Sequence, residues 1–587
     1  MKKSDLATSS MQNHGVNAMN APVKIPGATA TAQSLGSAAF RERHGLSLAY
    51  MAGAMAAGIA GEALLEALVG AGCLASFGSA GLPLARIEAA IARLRASLPG
   101  KRLCFNLIHT PDHPAQERSI VELYLREGIE TIEASAFMQL SAALVLFRAR
   151  GARIDEHGRA HAKQRIIAKV SRREVAQAFL RPAPEALLAT LRAEGALDAV
   201  EVAAARLLPM ADDITVEADS GGHTDRQSLV CAWPALAALR ARVAREFPPA
   251  AEVGLGAGGG LGTPAAIAAA FAMGADYVVT GSINQGCIEA GTSDTVKQLL
   301  AGAEPADVTM APAADMFELG VSVQVLKRGS MFAARANQLG ELYRAHRTLR
   351  DLPPDECKRL EQQIFHQPIA AVEEQTLAFW QARHPGLAER AAQDPRVMMG
   401  LVFRWYLGQA SRWAINGDPA RVLDFQIWCG QAMGAFNAWA ADTPFADPRR
   451  RHAAAIALSL MNEAGAHLDN FMARSVWPPA LSAVTSTSTS TSTDDIELDE
   501  EEDLQEWLML QIARELGVDI DQIDPRCSFE SYALDSARTL LLLNRVEQRL
   551  SMKLSPTLVW NYPTIEKLAA RLQQMAEAAS VGAEANA

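Results

Sequence analysis

The sequence predicts an α/β protein: a (β/α)8 TIM barrel with a helical extension, followed by a small all-α module. Three observations lead there. From about residue 46 to 285, short apolar runs ending in Gly, Ser, Asn or His alternate with stretches rich in Ala, Leu, Glu and Arg. Strand–helix alternation implies a parallel sheet, and eight such units in about 240 residues match the usual span of the barrel. Beyond residue 300 the strand signals thin out and helical periodicity takes over, interrupted near residue 480 by a Ser/Thr repeat.

Taken in order, the first 40 residues read as a disordered tail. The start has a basic pair, Lys2 and Lys3, but no apolar run behind it, so it is not a secretory signal. The eight strands are LSLAYMAG, CLASFGS, RLCFNLIH, TIEASAF, RIIAKVS, ITVEADSGGH, EVGLGAGGG and YVVTGS. Helical stretches such as GEALLEALVGAG and TPAAIAAAFAMGA separate most of them. The barrel is placed at 41–300. A doubly wound open sheet is the competing arrangement, because strand number is loosely determined by such a pattern. The run Leu46–Gly78 is long enough to span a bilayer, but it contains Glu62 and Glu66 and splits better into strand, glycine loop, helix and strand. No membrane segment is expected.

Residues 301–475 read as a helical extension, with several Trp and few strand signals. Residues 476–499 hold a Ser/Thr repeat that buries nothing and an acidic run that repels itself, so they form an extended linker. Residues 500–577 return to compact helical periodicity, and 578–587 read as a tail.

The net charge of −11, without a broad basic block, argues against a nucleic-acid partner. Seven scattered cysteines without CxxC spacing fit reduced thiols, with neither a disulfide framework nor a metal site. A cytoplasmic location is the expectation.

Two glycine segments carry chemistry. VGLGAGGGLGTP joins the seventh strand to its helix, and the eighth strand ends in Gly281 and Ser282. Glycines let backbone N–H groups approach an anion, and barrels commonly hold phosphate at these two loops. In the sixth unit, VEADSGGH brings Glu217, Asp219, Gly221, Gly222 and His223 to a strand's C-terminal end. There the two glycines permit a sharp turn and close approach to a planar ring, and the imidazole suits proton transfer. Glu217 and Asp219 have no assigned task.

These stretches, with VVTGSINQGCIEAGTSD, MAPAADMFELGVSVQVLKRGSMF and FRWYLGQASRWA, resemble the PfaD-type flavin-dependent enoyl reductases that act with polyunsaturated fatty acid and trans-acyltransferase polyketide synthases. The resemblance implies an FMN-binding barrel that uses NADPH or NADH to reduce the 2,3 double bond of enoyl thioesters on a carrier. It places Gly53, Ala54 and Met55 along the flavin ring, Asn106 at the pyrimidine side and Lys169 at the electron-rich edge. Gly221 and Gly222 would approach the ring. Gly258, Gly259, Gly281 and Ser282 would hold the phosphate, and His223 would be the catalytic residue, protonating or polarising the substrate.

The C-terminal stretch, ELGVDIDQIDPRCSFESYALDS continuing into LSPTLVWNYPTIEKLAARL, resembles an acyl carrier protein, a four-helix module. The resemblance implies 4′-phosphopantetheine on Ser536, attached by a phosphopantetheinyl transferase. The family's glycine two places before the Asp and its Leu after the Ser are replaced by Ala533 and Ala537. Partners would be the carrier domains of a polyketide or fatty acid synthase, and a homodimer is compatible with the helical extension. Two other readings stay open at this stage: a nitronate monooxygenase-like flavin oxidase, which the same Gly-Gly-His motif serves, and a non-catalytic carrier or docking scaffold. The fused carrier favours the thioester, and the intact glycine and histidine segments disfavour the scaffold.

Overall fold

A computed structural model of the chain describes residues 31–111, 113–475 and most of 503–584. Eight parallel strands close into a barrel: β1 (Tyr50–Ala52), β2 (Leu74–Phe77), β3 (Cys104–Ile108), β4 (Thr131–Ser135), β5 (Arg165–Val170), β6 (Asp213–Glu217), β7 (Gly254–Gly258) and β8 (Tyr277–Thr280). Neighbours in space are neighbours in sequence, and β8 returns to β1 with Tyr50 opposite Val278. All eight sequence-predicted strands are present, and closure excludes the open sheet.

The barrel interior is filled from below. The helix Ala38–His44 carries Phe40, which stacks on Tyr277 with ring centroids 4.0 Å apart. Tyr277 fits inside because Gly256 opposite has no Cβ; one there would overlap the ring. His44 Nε2 lies 2.8 Å from Asp213 Oδ2, and Arg43 takes the other carboxylate oxygen. Asp213 begins β6, so this cluster closes the N-terminal mouth, the face that serves stability in this fold. The expected tail through residue 40 is therefore too long. Ala32, Leu35 and Phe40 are buried, because an apolar plug is needed where the barrel would otherwise be open.

The helical extension has a core of its own around Phe332, Phe365, Phe403 and Tyr406. It is not all helical. Val308–Pro312 and Ser322–Leu326 form an antiparallel pair, and the second also pairs with a short strand at Gly222–His223. The alternation in SVQVL, with Val323 and Val325 buried, is the strand signal within that region. A further small hairpin joins Arg153–Ile154 to Ala160–His161.

The C-terminal module packs helices Leu504–Leu516, Ser536–Leu550, Leu558–Asn561 and Ile565–Glu584 around Leu508, Ile512, Val546, Leu568 and Leu572. Its last helix runs to Glu584, past the expected start of the tail at 578, because the Ala-rich AEAAS continues good helix formers. The linker predicted at 476–499, the first 30 residues and Ala533–Asp535 lie outside the described residues. Among the described residues, no helix is long and apolar enough to cross a membrane.

Candidate active site

The strands β1, β5, β6, β7 and β8 end around one cleft, with about 760 Å3 of empty space including its open mouth. It lies at the C-terminal ends of the strands, where barrels place their chemistry. Nine sequence-predicted residues line it: Gly53, Ala54, Met55, Lys169, Gly221, Gly258, Gly259, Gly281 and Ser282.

One wall is backbone. Gly259 has φ +90°, and a Cβ there would meet the Ala218 carbonyl carbon at 2.6 Å. Only glycine lets β7 turn back against the end of β6. Gly260 and Gly281 line the cleft and have open space where a Cβ would stand. Ser282 Oγ accepts a hydrogen bond from Gly430 N at 2.9 Å.

The opposite wall is charged. Lys169 Nζ lies 3.2 Å from Glu217 Oε1. Burial disfavours the ammonium, but the Glu217 and Glu133 carboxylates outweigh it and raise the pKa above the ordinary lysine value. Glu133 Oε2 accepts from Ala54 N at 2.8 Å, while its Oε1 is buried without a partner. Burial pushes the Asp219 carboxyl up, against a 2.9 Å hydrogen bond from Gln324 Nε2.

Asn106 does not line the cleft. Its amide donates to Glu133 O at 3.1 Å and Ser135 Oγ at 3.0 Å, so it stands behind Glu133 and ties β3 to β4. Gly222 and His223 also lie outside the cleft lining, on the strand that pairs with Gln324 and Val323. His223 Nε2 lies 3.1 Å from Asp315 Oδ2. Partial burial pushes the Asp315 carboxyl up, but the hydrogen bond and charge of His223 more than offset it and leave it below the usual range.

Gly221 lines the cleft and also stands where a second backbone passes. Its Cβ would collide with the Cys429 backbone at 2.9 Å, and a Cβ on Gly430 would meet Gly221 N at 2.8 Å. Two backbones cross here. The segment around Trp428 runs along Ser322–Leu326, with Leu326 N bonded to Ile427 O at 2.9 Å. It thereby carries Trp428, Gly430 and Ala432 into the cleft lining.

These residues, with Asp315, escaped the sequence reading. The tight step WCG was the available signal for the first group; an Asp 92 positions from its histidine had none. Ser536 is the first residue of its helix, and its partner in the motif, Asp535, lies outside the described residues.

Residues 506–572 match the phosphopantetheine attachment site family, and residues 346–425 match the inserted helical domain of [acyl-carrier-protein] S-malonyltransferase. The chain is 45% identical over 411 residues to one component of the polyunsaturated fatty acid synthase of Thraustochytrium sp., covering 69% of this chain and 28% of that protein. It is 41% identical over 451 residues to polyketide biosynthesis protein PksE of Bacillus subtilis, covering 77% of this chain and 58% of that one. It thus spans less than two thirds of either relative. Among solved structures, the enoyl reductase domain of MlnA, from the macrolactin biosynthesis cluster of Bacillus amyloliquefaciens, superposes with a TM-score of 0.72 at 37% identity. That match covers 75% of this chain and 99% of that domain.

Proposed function

This chain belongs to the family of enoyl reductases that includes the MlnA domain and its polyunsaturated fatty acid synthase relatives, and we propose that it reduces the 2,3 double bond of enoyl thioesters carried on acyl carrier domains, using FMN and NADPH or NADH. The observation that carries the FMN reading is the cleft itself: a peptide-lined wall at β7 and β8, facing a lysine held cationic on β5. The phosphopantetheine site family at 506–572 and the likeness of 346–425 to a domain of a carrier-acting enzyme support carriers as partners.

The residues fit the cofactor. Open space at Gly260 and Gly281, with Ser282, suits a phosphate. Gly53, Ala54 and Met55 offer backbone along a flat ring, and the unpartnered Glu133 Oε1 is a buried acceptor behind them. When bound, FMN supplies the two-electron hydride chemistry between nicotinamide and enoyl group.

The chain supplies charge and proton control. Lys169 presents a fixed positive charge where electron density accumulates during reduction. His223 meets the charge that develops on the thioester oxygen or the α-carbon, and the Asp315 carboxylate holds its ring in place. Trp428, brought over the rim, restricts water at the reacting end.

The test is anaerobic. NADPH should bleach the yellow protein, and crotonyl-pantetheine should restore the colour and yield the saturated thioester. His223→Ala should keep the bleaching and slow the restoration by ~10²–10⁴-fold. Bleaching by NADPH with no reoxidation by the enoyl thioester would refute the reductase assignment.

A further inference from the structure

The C-terminal module does not stand apart from the reductase. Leu516 O, at the end of its first helix, accepts a hydrogen bond from Gly329 N at 3.2 Å. Gln522 Oε1 accepts from Arg335 at 2.8 Å. Asp524 pairs with Arg359. Met331 of the reductase is buried in the module's own apolar core, with Ala334 and Leu423 against it.

The ion pair is largely desolvated, its side chains 11% and 15% exposed. Burial disfavours the Arg359 guanidinium, but the Asp524 and Glu356 carboxylates outweigh this and raise its pKa. The pair is shielded from water and salt and is the cross-link of a short network, since Arg359 also pairs with Glu356 and Asp524 with Arg526.

The faces that meet are the useful ones. On the module, Tyr532 Oη donates to Asp524 O at 2.7 Å. Tyr532 is four residues before Ser536, the first residue of the module's next helix. On the reductase, the contact begins at Gly329, just past the strand Ser322–Leu326, which pairs with His223 through Val323. Six residues separate Val323 from Gly329, at most about 22 Å. The contact with the module thus begins just beyond the Leu326 end of the strand whose other end pairs with His223.

We propose that the surface formed by Gly329–Arg335 and Arg359 is a carrier dock, that its occupant is this chain's own carrier module, and that the Asp524–Arg359 pair seats it for delivery of its acyl group to the cleft in cis. The delivery rests on the function proposed above; the docking does not. Tethering then raises the local concentration of the substrate, and the ion pair supplies orientation, which tethering alone lacks.

The test uses the full chain, loaded at Ser536 with a crotonyl-phosphopantetheine group, in four forms: unaltered, Asp524→Arg, Arg359→Glu and the double exchange. Hydrogen–deuterium exchange reads the docking, single-turnover reduction reads delivery, and turnover of free crotonyl-pantetheine reads the chemistry. Each single variant should lose amide protection at 327–335 and 516–527 and slow cis reduction by about tenfold or more, as expected for a lost charge-assisted hydrogen bond. The double exchange should recover both. Turnover of the free thioester should be equal in all four. Unchanged protection in Asp524→Arg overturns the dock. Lost protection with an unchanged cis rate overturns delivery from it. Failure of the unaltered chain to reduce the free thioester refutes the enoyl reductase function, while the exchange data still decide the dock.

Discussion

His223 depends on a carboxylate that comes from far along the chain. Asp315 faces it at 3.1 Å, but the two side chains are 36% and 56% exposed, so the pair is screened by solvent and contributes ~0.2–1 kcal/mol. Asp315→Asn should therefore slow enoyl reduction by about fivefold or less.

Glu117 is a second informative residue. It is buried, and its carboxylate accepts from His109 Nδ1 and Thr110 N, each at 3.0 Å. Burial pushes its pKa up, but these bonds and that from Ser141 outweigh it, so the folded value lies below the ordinary 4.5. A depressed acid stabilises the fold fully above its unfolded pKa and loses that contribution as pH falls through the folded one. Glu117→Gln should be less stable near neutrality and should lose less further stability on acidification. Urea midpoints between about pH 5 and pH 3 check this.

At the scale of elements, the site depends on where backbones cross. Gly221 and Gly430 pass so closely that neither tolerates a Cβ. Gly221→Ala should push the Trp428 segment away, costing about 1–3 kcal/mol of stability as overpacking does, and should weaken FMN retention; thermal unfolding and bound-flavin absorbance read the two effects. These crossings explain what was legible in the sequence. The eight strands were visible because each is a short apolar run bounded by turn residues, and the glycine loops because they sit within one β–α unit. Trp428 and Asp315 were not. Trp428 reaches the site by bridging to Val325, and Asp315 reaches His223 from the turn between Val308–Pro312 and Ser322–Leu326; partners about a hundred residues apart leave no local periodicity. Asn106 was visible as a polar strand end, but its hydrogen bonds to Glu133 O and Ser135 Oγ on the neighbouring strand depend on the register of the barrel and left no mark in the sequence.

At the scale of the molecule, the barrel is closed below by Phe40 and Tyr277 and open above at the glycine-lined cleft, with the carrier seated on the helical lobe beside it. The serine that begins the module's helix Ser536–Leu550 should carry the phosphopantetheine arm. Ser536→Ala should abolish the mass increase produced by a phosphopantetheinyl transferase while leaving reduction of a free enoyl thioester unchanged. Intact-mass spectrometry and single-turnover kinetics on the same preparation separate the two.

The account rests on the upper cleft being a flavin site. Titration of flavin-stripped protein with FMN, followed by quenching of flavin fluorescence, tests this most directly. The prediction is saturable binding of one FMN per chain with recovery of NADPH-dependent bleaching. Absence of saturable binding by correctly folded protein would contradict the account.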